Sequence, residues 1–227
     1  MKKCDMHIHV KDGITDDSKL EKIIEKGINK GIDTFLLLDH GDRISPKKHG
    51  RLTDENIPTF FKTVEQLNVD NITIFKGIEV DFSYDKDFRN NVINMINKHD
   101  FDYVIGSVHS MFHLGEDGYY QAIIDLLNTY PIDIIGHIRM NEHYLNHIEK
   151  FKTIMTICQK RNILIEINTS KRSIWTKDQF QFMHSLMKEY GVKYTIGSDA
   201  HEVDEIAANY ELINDCFNKE EYFLYGK

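Results

Sequence analysis

The chain has 227 residues, of which 41% are hydrophobic, with only three prolines and a formal net charge of −8. This length and composition predict one folded domain over residues 1–227 and exclude a long disordered linker. The acidic balance disfavours a basic surface for nucleic acid.

The cysteines and the N-terminal segment bear on the compartment. Cys4, Cys158 and Cys216 are scattered, a spacing that indicates neither a disulfide framework nor a thiolate zinc site. Reduced cysteines are typical of the cytosol. The segment MKKCDMHIHV lacks the apolar stretch of a signal peptide, and no apolar run approaches the roughly 18 residues of a membrane span. We therefore expect a cytoplasmic protein with no membrane partner.

Seven short runs of apolar or β-branched residues predict β-strands. The strands are apolar almost throughout, as expected when both faces of a sheet are covered. They lie at residues 4–10, 34–40, 72–80, 102–109, 133–138, 163–169 and 194–201.

Helical periodicity appears between several of these strands. The first helical segment places Leu20, Ile23, Ile24 and Ile28 on one face, and Gly31 marks its end. Similar spacing predicts helices at residues 88–100, 119–130 and 180–191.

The alternation of strands with helices predicts a parallel sheet, because crossover helices join parallel neighbours. A doubly wound sheet is one arrangement, but seven repeats favour a closed α/β barrel. Residues 41–52 and 110–118 are predicted to be loops on the rim of the barrel, and residues 218–227 a short terminal element.

Side chains that can bind metal ions cluster at the C-terminal ends of the predicted strands. In α/β barrels, the active site is built at this end by residues from several strands. The candidates, in chain order, are His7, His9, Asp39, His40, Glu79, His109, His137, Asp199 and His201.

Each candidate also has a purely structural interpretation when it is taken singly. His109 alone fits a satisfied core histidine, and Asp199 alone fits the N-cap of a following helix. Together, however, they place costly polar groups in one layer of the barrel, where buried charges need a partner or a metal. We therefore predict a metal site. Imidazole and carboxylate ligands without thiolates suit Zn²⁺, Mn²⁺ or Fe²⁺, and nine candidates exceed the needs of one ion.

These residues stand in motifs that resemble the polymerase-and-histidinol-phosphatase (PHP) family across residues 5–201. The motifs are D-x-H-x-H, a strand ending in D-H, then G-x-E, G-S-V-H, G-H and G-S-D-A-H, in that order. The H-x-H motif alone is weak evidence for this family, because amidohydrolases share it. The segments IGSVHS, INTSKR and IGSDAH are more specific, and they resemble the histidinol-phosphate phosphatase branch.

The resemblance implies a distorted (β/α)7 barrel with two or three divalent metal ions. The family has a serine-aspartate-glycine stretch or a histidine soon after H-x-H, and Asp12 is the nearest equivalent here, with Asp16 and Asp17 as alternatives. By the resemblance, one ion is held by His7, His9, Glu79 and Asp199, a second by Glu79, His109 and His137, and a third by His40, His201 and the N-terminal loop residue.

The resemblance also implies that metal-activated water hydrolyses a small phosphorylated substrate, with L-histidinol phosphate as the leading substrate. Arginine binds phosphate in a forked geometry, so the predicted phosphate-binding residues are Arg139, Arg172 and Arg43. Asp199 or His201 is the predicted proton donor to the leaving group, and Glu79 the bridging ligand.

Three alternatives stay open on the sequence. The first is a PHP-type phosphodiesterase or nuclease, for which the stretch RISPKKHGR is the only basic run. The second is an amidohydrolase-like enzyme acting on a C–N bond, a class that usually has eight strands and a bridging lysine. The third is a metal-binding module without activity.

Overall fold

The computed structural model describes residues 3–41, 52–67, 69–109 and 111–214, without the side chains of Asp12, Phe112, Ile213 and Asn214. Arg43, the tail at 218–227 and most of the loop predicted at 41–52 lie outside the described residues. Within the described residues, seven strands form one sheet: β1 (Cys4–His9), β2 (Thr34–Leu38), β3 (Thr73–Asp81), β4 (Tyr103–Ser107), β5 (Ile134–Ile135), β6 (Leu164–Asn168) and β7 (Tyr194–Gly197).

The sheet closes on itself. Each strand lies parallel to the next, in the order of the chain from β1 to β7. Just beyond β7, Ala200 forms a parallel bridge with Ile8 of β1, and the His9 N–H donates to the Ala200 carbonyl over 2.9 Å. The predicted distorted (β/α)7 barrel is therefore confirmed.

Helices connect the strands on the outside of the barrel. They are α1 (Asp17–Asn29), α2 (Ile57–Gln66), α3 (Lys86–Lys98), α4 (Gly115–Thr129), α5 (Ile148–Arg161), α6 (Lys177–Tyr190) and α7 (Tyr210–Asn214).

The prediction of a loop at residues 110–118 is wrong. A 3₁₀ turn spans Met111–Leu114, and α4 begins directly after it at Gly115. The first turn of α4 is polar, which made it look like a loop. Its Glu116 and Asp117 are nevertheless favourable there, because acidic side chains interact well with the positive N-terminal end of a helix.

Two apolar clusters stabilise the barrel. The larger cluster lies between the strands and the helices and contains Leu20, Phe35 and Ile78, for example. Burying each such side chain contributes about 1.5–3 kcal/mol. The smaller cluster consists of Cys4, Met6, Leu36, Leu38, Tyr103, Ile105, Ile134 and Leu164.

A shift of strand register in β1 directs the histidines toward the interior. The pairing of β1 with β2 slips between Asp5 and Ile8. Met6 packs in the smaller cluster, whereas Ile8 packs in the outer one. The neighbouring His7 consequently contacts carboxylates of β3 and β6 across the barrel.

Among the described residues, the helices lack the combination of length and apolar character that crossing a membrane requires.

Candidate metal centre

Glu79, near the C-terminal end of β3, lies at the centre of the predicted ligands. It is 1% exposed, so its charge has almost no contact with solvent. Its Oε1 lies 2.9 Å from Nε2 of His137 and 3.4 Å from Nε2 of His109. This side of the carboxylate thus faces the strands that follow β3.

The other oxygen of Glu79 faces the strands that precede β3. Its Oε2 lies 2.9 Å from Nδ1 of His40, 3.4 Å from Nε2 of His9 and 3.5 Å from Nε2 of His7. One carboxylate therefore contacts imidazoles from both sides of the barrel, which is the geometry that a bridging ligand needs.

Asp199 completes the cluster from the segment after β7. Its Oδ1 lies 3.2 Å from Nε2 of His9 and 3.6 Å from Nε2 of His7. The Nδ1 atom of His201 lies 2.9 Å from the Asp199 carbonyl oxygen, to which it donates as a neutral ring. This donation leaves Nε2 of His201 with a free lone pair.

Strained backbone holds two of these ligands. His137 has φ +23° and Asp199 has φ +52°, in a region that residues other than glycine rarely adopt. Such strain persists only where the surrounding structure enforces it, and it is common at functional sites.

The ligand atoms fall into three groups, in each of which the atoms lie within 4.8 Å of one another: His7, His9 and Glu79; Glu79, His109 and His137; and His9, His40 and His201. The structure therefore brings His9 next to His40 and His201.

The side chain of Asp12 lies outside the described residues. Asp16 caps α1 by accepting the Ser18 N–H over 3.0 Å, and both Asp16 and Asp17 are exposed.

The electrostatics of the cluster indicate a need for positive charge. Burial lowers the pKa of His7, but the carboxylate of Glu166 and that of Glu79 outweigh it, and the pKa stands well above its usual value. Burial raises the pKa of Glu79, but the neighbouring His40 and His109 outweigh this, and the pKa lies well below its usual value. Without a bound cation, protonated imidazoles balance the buried carboxylates.

The donor set fits divalent metal ions. Oε2 of Glu79 and Nδ1 of His9 are buried with no hydrogen-bond partner among the described residues. Nε2 of His7 and Nε2 of His9 lie only 3.1 Å apart, and both point toward Glu79. Ring nitrogens and carboxylate oxygens that converge on one point are the ligands expected around a metal ion. The cluster thus supports divalent metal binding through nitrogen and oxygen ligands.

Three carboxylates lie beside the histidines, and two of them, Glu166 and Asp81, were not among the candidates predicted from the sequence, whereas Asp39 was. Glu166 accepts a hydrogen bond from Nδ1 of His7 over 2.7 Å, and Asp81 lies 3.3 Å from Nδ1 of His109. Asp39 lies 3.7 Å from Nδ1 of His9. Glu166 did have a signal in the sequence, since it is the one charged residue in the apolar run ILIEINT.

A cavity of about 340 Å³ opens beside the cluster. Arg139 and Arg172 line its wall together with Lys11, and both arginines are exposed. The predicted phosphate-binding arginines that the structure describes therefore border the same space as His40, His109, His137, Asp199 and His201.

The fold and the cluster define a (β/α)7 barrel with a divalent metal site at the C-terminal ends of its strands. Residues 5–170 match the PHP domain, and this match covers more than half of the chain. The chain belongs to the PHP domain family.

Relatives of the chain include enzymes of two kinds. The chain is 25% identical over 236 residues to the histidinol-phosphatase of Lactococcus lactis subsp. lactis, covering 88% of this chain and 85% of that protein. It is 26% identical over 212 residues to the DNA polymerase/3'-5' exonuclease PolX of Bacillus subtilis, covering 89% of this chain but only 35% of PolX.

A solved structure shares the fold. It is the histidinol phosphate phosphatase of Lactococcus lactis subsp. lactis, complexed with zinc, L-histidinol and phosphate. The two structures superpose with a TM-score of 0.73 at 22% sequence identity, over 95% of this chain and 94% of the other.

Proposed function

We propose that this protein is a metal-dependent phosphatase that hydrolyses a small phosphate monoester. The observation that carries the proposal is the buried Glu79, shared by imidazoles from several strands beside a cavity that Arg139 and Arg172 border. A phosphomonoester carries nearly two negative charges, so a site for its hydrolysis needs concentrated positive charge and fixed geometry.

The proposed ions are two or three in number and are Zn²⁺, Mn²⁺ or Fe²⁺. When bound, such ions neutralise phosphoryl oxygens and lower the pKa of water, so that hydroxide is available near neutral pH. We assign their ligands as His7, His9, Glu79, Asp199, His109, His137, His40 and His201, with Asp12 as the N-terminal loop ligand.

The chain's own side chains perform the remaining tasks. Arg139 and Arg172 bind the phosphate from the cavity wall by forked hydrogen bonds. Asp199 lines the same cavity as the two arginines and is the proposed proton carrier, which takes a proton from the attacking water and passes it to the leaving alkoxide. His201, which also lines this cavity, is the alternative donor.

We infer that L-histidinol phosphate is the substrate. Support comes from the histidinol-phosphatase of Lactococcus lactis, which the chain matches over 85% of that protein's length. The motifs IGSVHS, INTSKR and IGSDAH point to the same branch of the family.

A phosphodiesterase or nuclease is the second candidate, and the similarity to PolX of Bacillus subtilis favours it. The formal net charge of −8 argues against it, because nucleic-acid enzymes need basic surfaces along the phosphate backbone.

One experiment separates these functions. Phosphate or nitrophenol release is measured with L-histidinol phosphate, p-nitrophenyl phosphate and bis-p-nitrophenyl phosphate, each with added Mn²⁺, Zn²⁺ or a chelator. Chelator-sensitive preference for L-histidinol phosphate supports the full proposal. Cleavage of p-nitrophenyl phosphate alone keeps the monoesterase and rejects the substrate. Preference for the diester supports the second candidate, and no cleavage of any ester rejects both.

A further inference from the structure

Glu166, in the middle of β6, makes two short hydrogen bonds inside the barrel. It is 1% exposed. Its Oε1 accepts from Nδ1 of His7 over 2.7 Å, and its Oε2 accepts from the backbone N–H of His137 over 2.6 Å. One carboxylate thus connects a side chain of β1 with the backbone beyond β5.

The bond to His7 determines which ring nitrogen carries the proton. A carboxylate oxygen accepts, so Nδ1 of His7 carries the N–H of this bond, and Nε2 is the ring atom that remains available to a metal ion. Nε2 is also the atom that faces the cluster, 3.5 Å from Oε2 of Glu79 and 3.1 Å from Nε2 of His9. Only this tautomer presents a metal-binding atom to the centre.

The bond to His137 acts on the backbone. His137 has φ +23°, a backbone conformation that residues with a side chain normally avoid. The backbone N–H of this same residue donates to Oε2 of Glu166. The same residue directs Nε2 of His137 to Oε1 of Glu79 over 2.9 Å. Glu166 therefore holds the backbone from which a second predicted ligand projects.

The neighbouring strand leaves room for this carboxylate. A Cβ atom at Gly197 of β7 would collide with Oε1 of Glu166 and would lie 2.5 Å from Cβ of His7. A glycine is therefore required at this position for the Glu166–His7 pair to keep its geometry.

We propose that Glu166 is a positioning residue that fixes the tautomer of His7 and the backbone of His137, so that both present Nε2 to Glu79. This inference rests on the proposed metal site. Glu166 has no direct role in the chemistry, because its two oxygens are occupied by His7 and His137.

The variant Glu166→Gln tests this proposal, because it keeps the size of the side chain but removes one acceptor. If its carbonyl accepts from the His137 N–H, its NH₂ group faces Nδ1 of His7 and forces the other tautomer. If its carbonyl accepts from His7 instead, the NH₂ group opposes the His137 N–H. No orientation of the amide satisfies both donors.

The first measurement needs no metal and no activity. In the chelator-treated wild type, at a pH high enough to make the His7 ring neutral, ¹⁵N NMR of the histidine rings should show His7 with its proton on Nδ1. In Glu166→Gln, either this resonance moves to the Nε2–H pattern or the backbone amide of His137 loses its hydrogen-bonded shift. Wild-type His7 protonated on Nε2 alone would overturn the proposal, and this test does not depend on the variant folding.

The second measurement is metal affinity by titration with Co²⁺ or Zn²⁺. Removing a carboxylate that orients a ligand typically weakens metal binding by about 10- to 100-fold, and we expect a loss of this size in Glu166→Gln. Glu166→Asp keeps the charge and should recover part of the affinity. Glu25→Gln, at an exposed position on α1, is the matched control and should bind metal as the wild type does.

The outcomes separate this inference from the proposed function. A wild type that binds metal and hydrolyses the ester, combined with unchanged affinity and tautomer in Glu166→Gln, overturns the positioning role alone. A wild type that binds no metal overturns the proposed function, whatever the tautomer of His7.

Discussion

Nδ1 of His40 lies 2.9 Å from Oε2 of Glu79, yet Oε2 has no hydrogen-bond partner among the described residues. The two residues also form a parallel backbone bridge where β2 and β3 end. The Glu79 N–H donates to the Asp39 carbonyl over 3.0 Å, and the Gly41 N–H donates to the Glu79 carbonyl over 2.8 Å. The backbone thus fixes two side-chain atoms close together without a proton in line between them.

Glu79→Gln is expected to abolish metal-dependent phosphatase activity. An amide offers one oxygen, and its NH₂ group cannot bind a cation, so the variant cannot bridge two ions. The loss of activity should exceed about 100-fold, the upper end of what removing a merely supporting residue costs. Metal content by mass spectrometry should fall in parallel. Glu55→Gln, at an exposed position, serves as the control, and a Glu79→Gln variant with full activity and metal content would refute the bridging role.

Arg172→Ala is expected to raise KM for a phosphate ester while leaving metal content unchanged. A hydrogen bond to a charged group contributes about 1.5–3 kcal/mol, which corresponds to about a 10- to 100-fold increase in KM. Steady-state kinetics and metal analysis of the same preparation check this. Lys193→Ala removes a positive charge from an exposed position before β7, at the other end of the barrel, and should not change KM. Equal kinetics in both variants would mean that Arg172 does not bind phosphate.

The stability of the metal-free protein should fall as pH rises above neutrality. The pKa values of His7, His9 and His137 are raised above the usual value, because carboxylate charges outweigh burial at each. A raised histidine pKa contributes stability that is present below about pH 6.5 and lost as pH rises through the folded-state pKa. His201, whose pKa burial lowers, contributes in the opposite direction.

Thermal unfolding from about pH 6 to about pH 9 measures this effect, with a chelator and with saturating Zn²⁺. For a chain of this size, each kcal/mol lost lowers Tm by about 2–4 °C, so the metal-free Tm should drop by at least about 2 °C. The metal-loaded protein should show a smaller drop, because the ions supply the positive charge that the imidazoles lose. Parallel curves under both conditions would contradict the prediction.

Gly197→Ala is expected to weaken metal binding and to lower stability. The added methyl group meets Cβ of His7 at 2.5 Å, and overpacking of this kind costs about 1–3 kcal/mol. Gly77→Ala is a matched control on β3, where the methyl group meets Cδ1 of Leu36 at 2.7 Å in the smaller apolar cluster. Denaturant unfolding and metal titration should show both variants destabilised but only Gly197→Ala altered in affinity. Equal metal affinities would exclude a coupling between Gly197 and the metal centre.

Much of the barrel could be predicted from the sequence, because its strands are locally encoded. His7 and His9 share a face through the two-residue period of a strand, and Glu79 lies near the end of the mostly apolar run ITIFKGIEV. The strand predicted at 133–138 is only Ile134–Ile135, since the backbone leaves the sheet as it approaches the strained His137. Three helices were not predicted at all: Ile57–Gln66, Ile148–Arg161 and Tyr210–Asn214.

Pairings between distant strands could not be predicted, because they depend on how the barrel closes. Glu166 contacts His7, which is 159 residues away in the chain, and no local period indicates that contact. The position of Asp81 beside His109 likewise depends on the register between β3 and β4. Local patterns thus indicated which residues carry the chemistry, whereas closure determines which residues support them.

The bridge between Ile8 and Ala200 also bears on how the protein assembles. His7 and His9 come from the first strand, while Asp199 and His201 follow the last strand, so the cluster is complete only when the two edges of the sheet meet. Ions that bind the closed barrel and not the open chain stabilise the closed form by mass action. Metal supply during synthesis would then favour the step that joins the two edges of the sheet. Metal depletion would instead leave an open sheet with two unpaired edges, which is prone to aggregation.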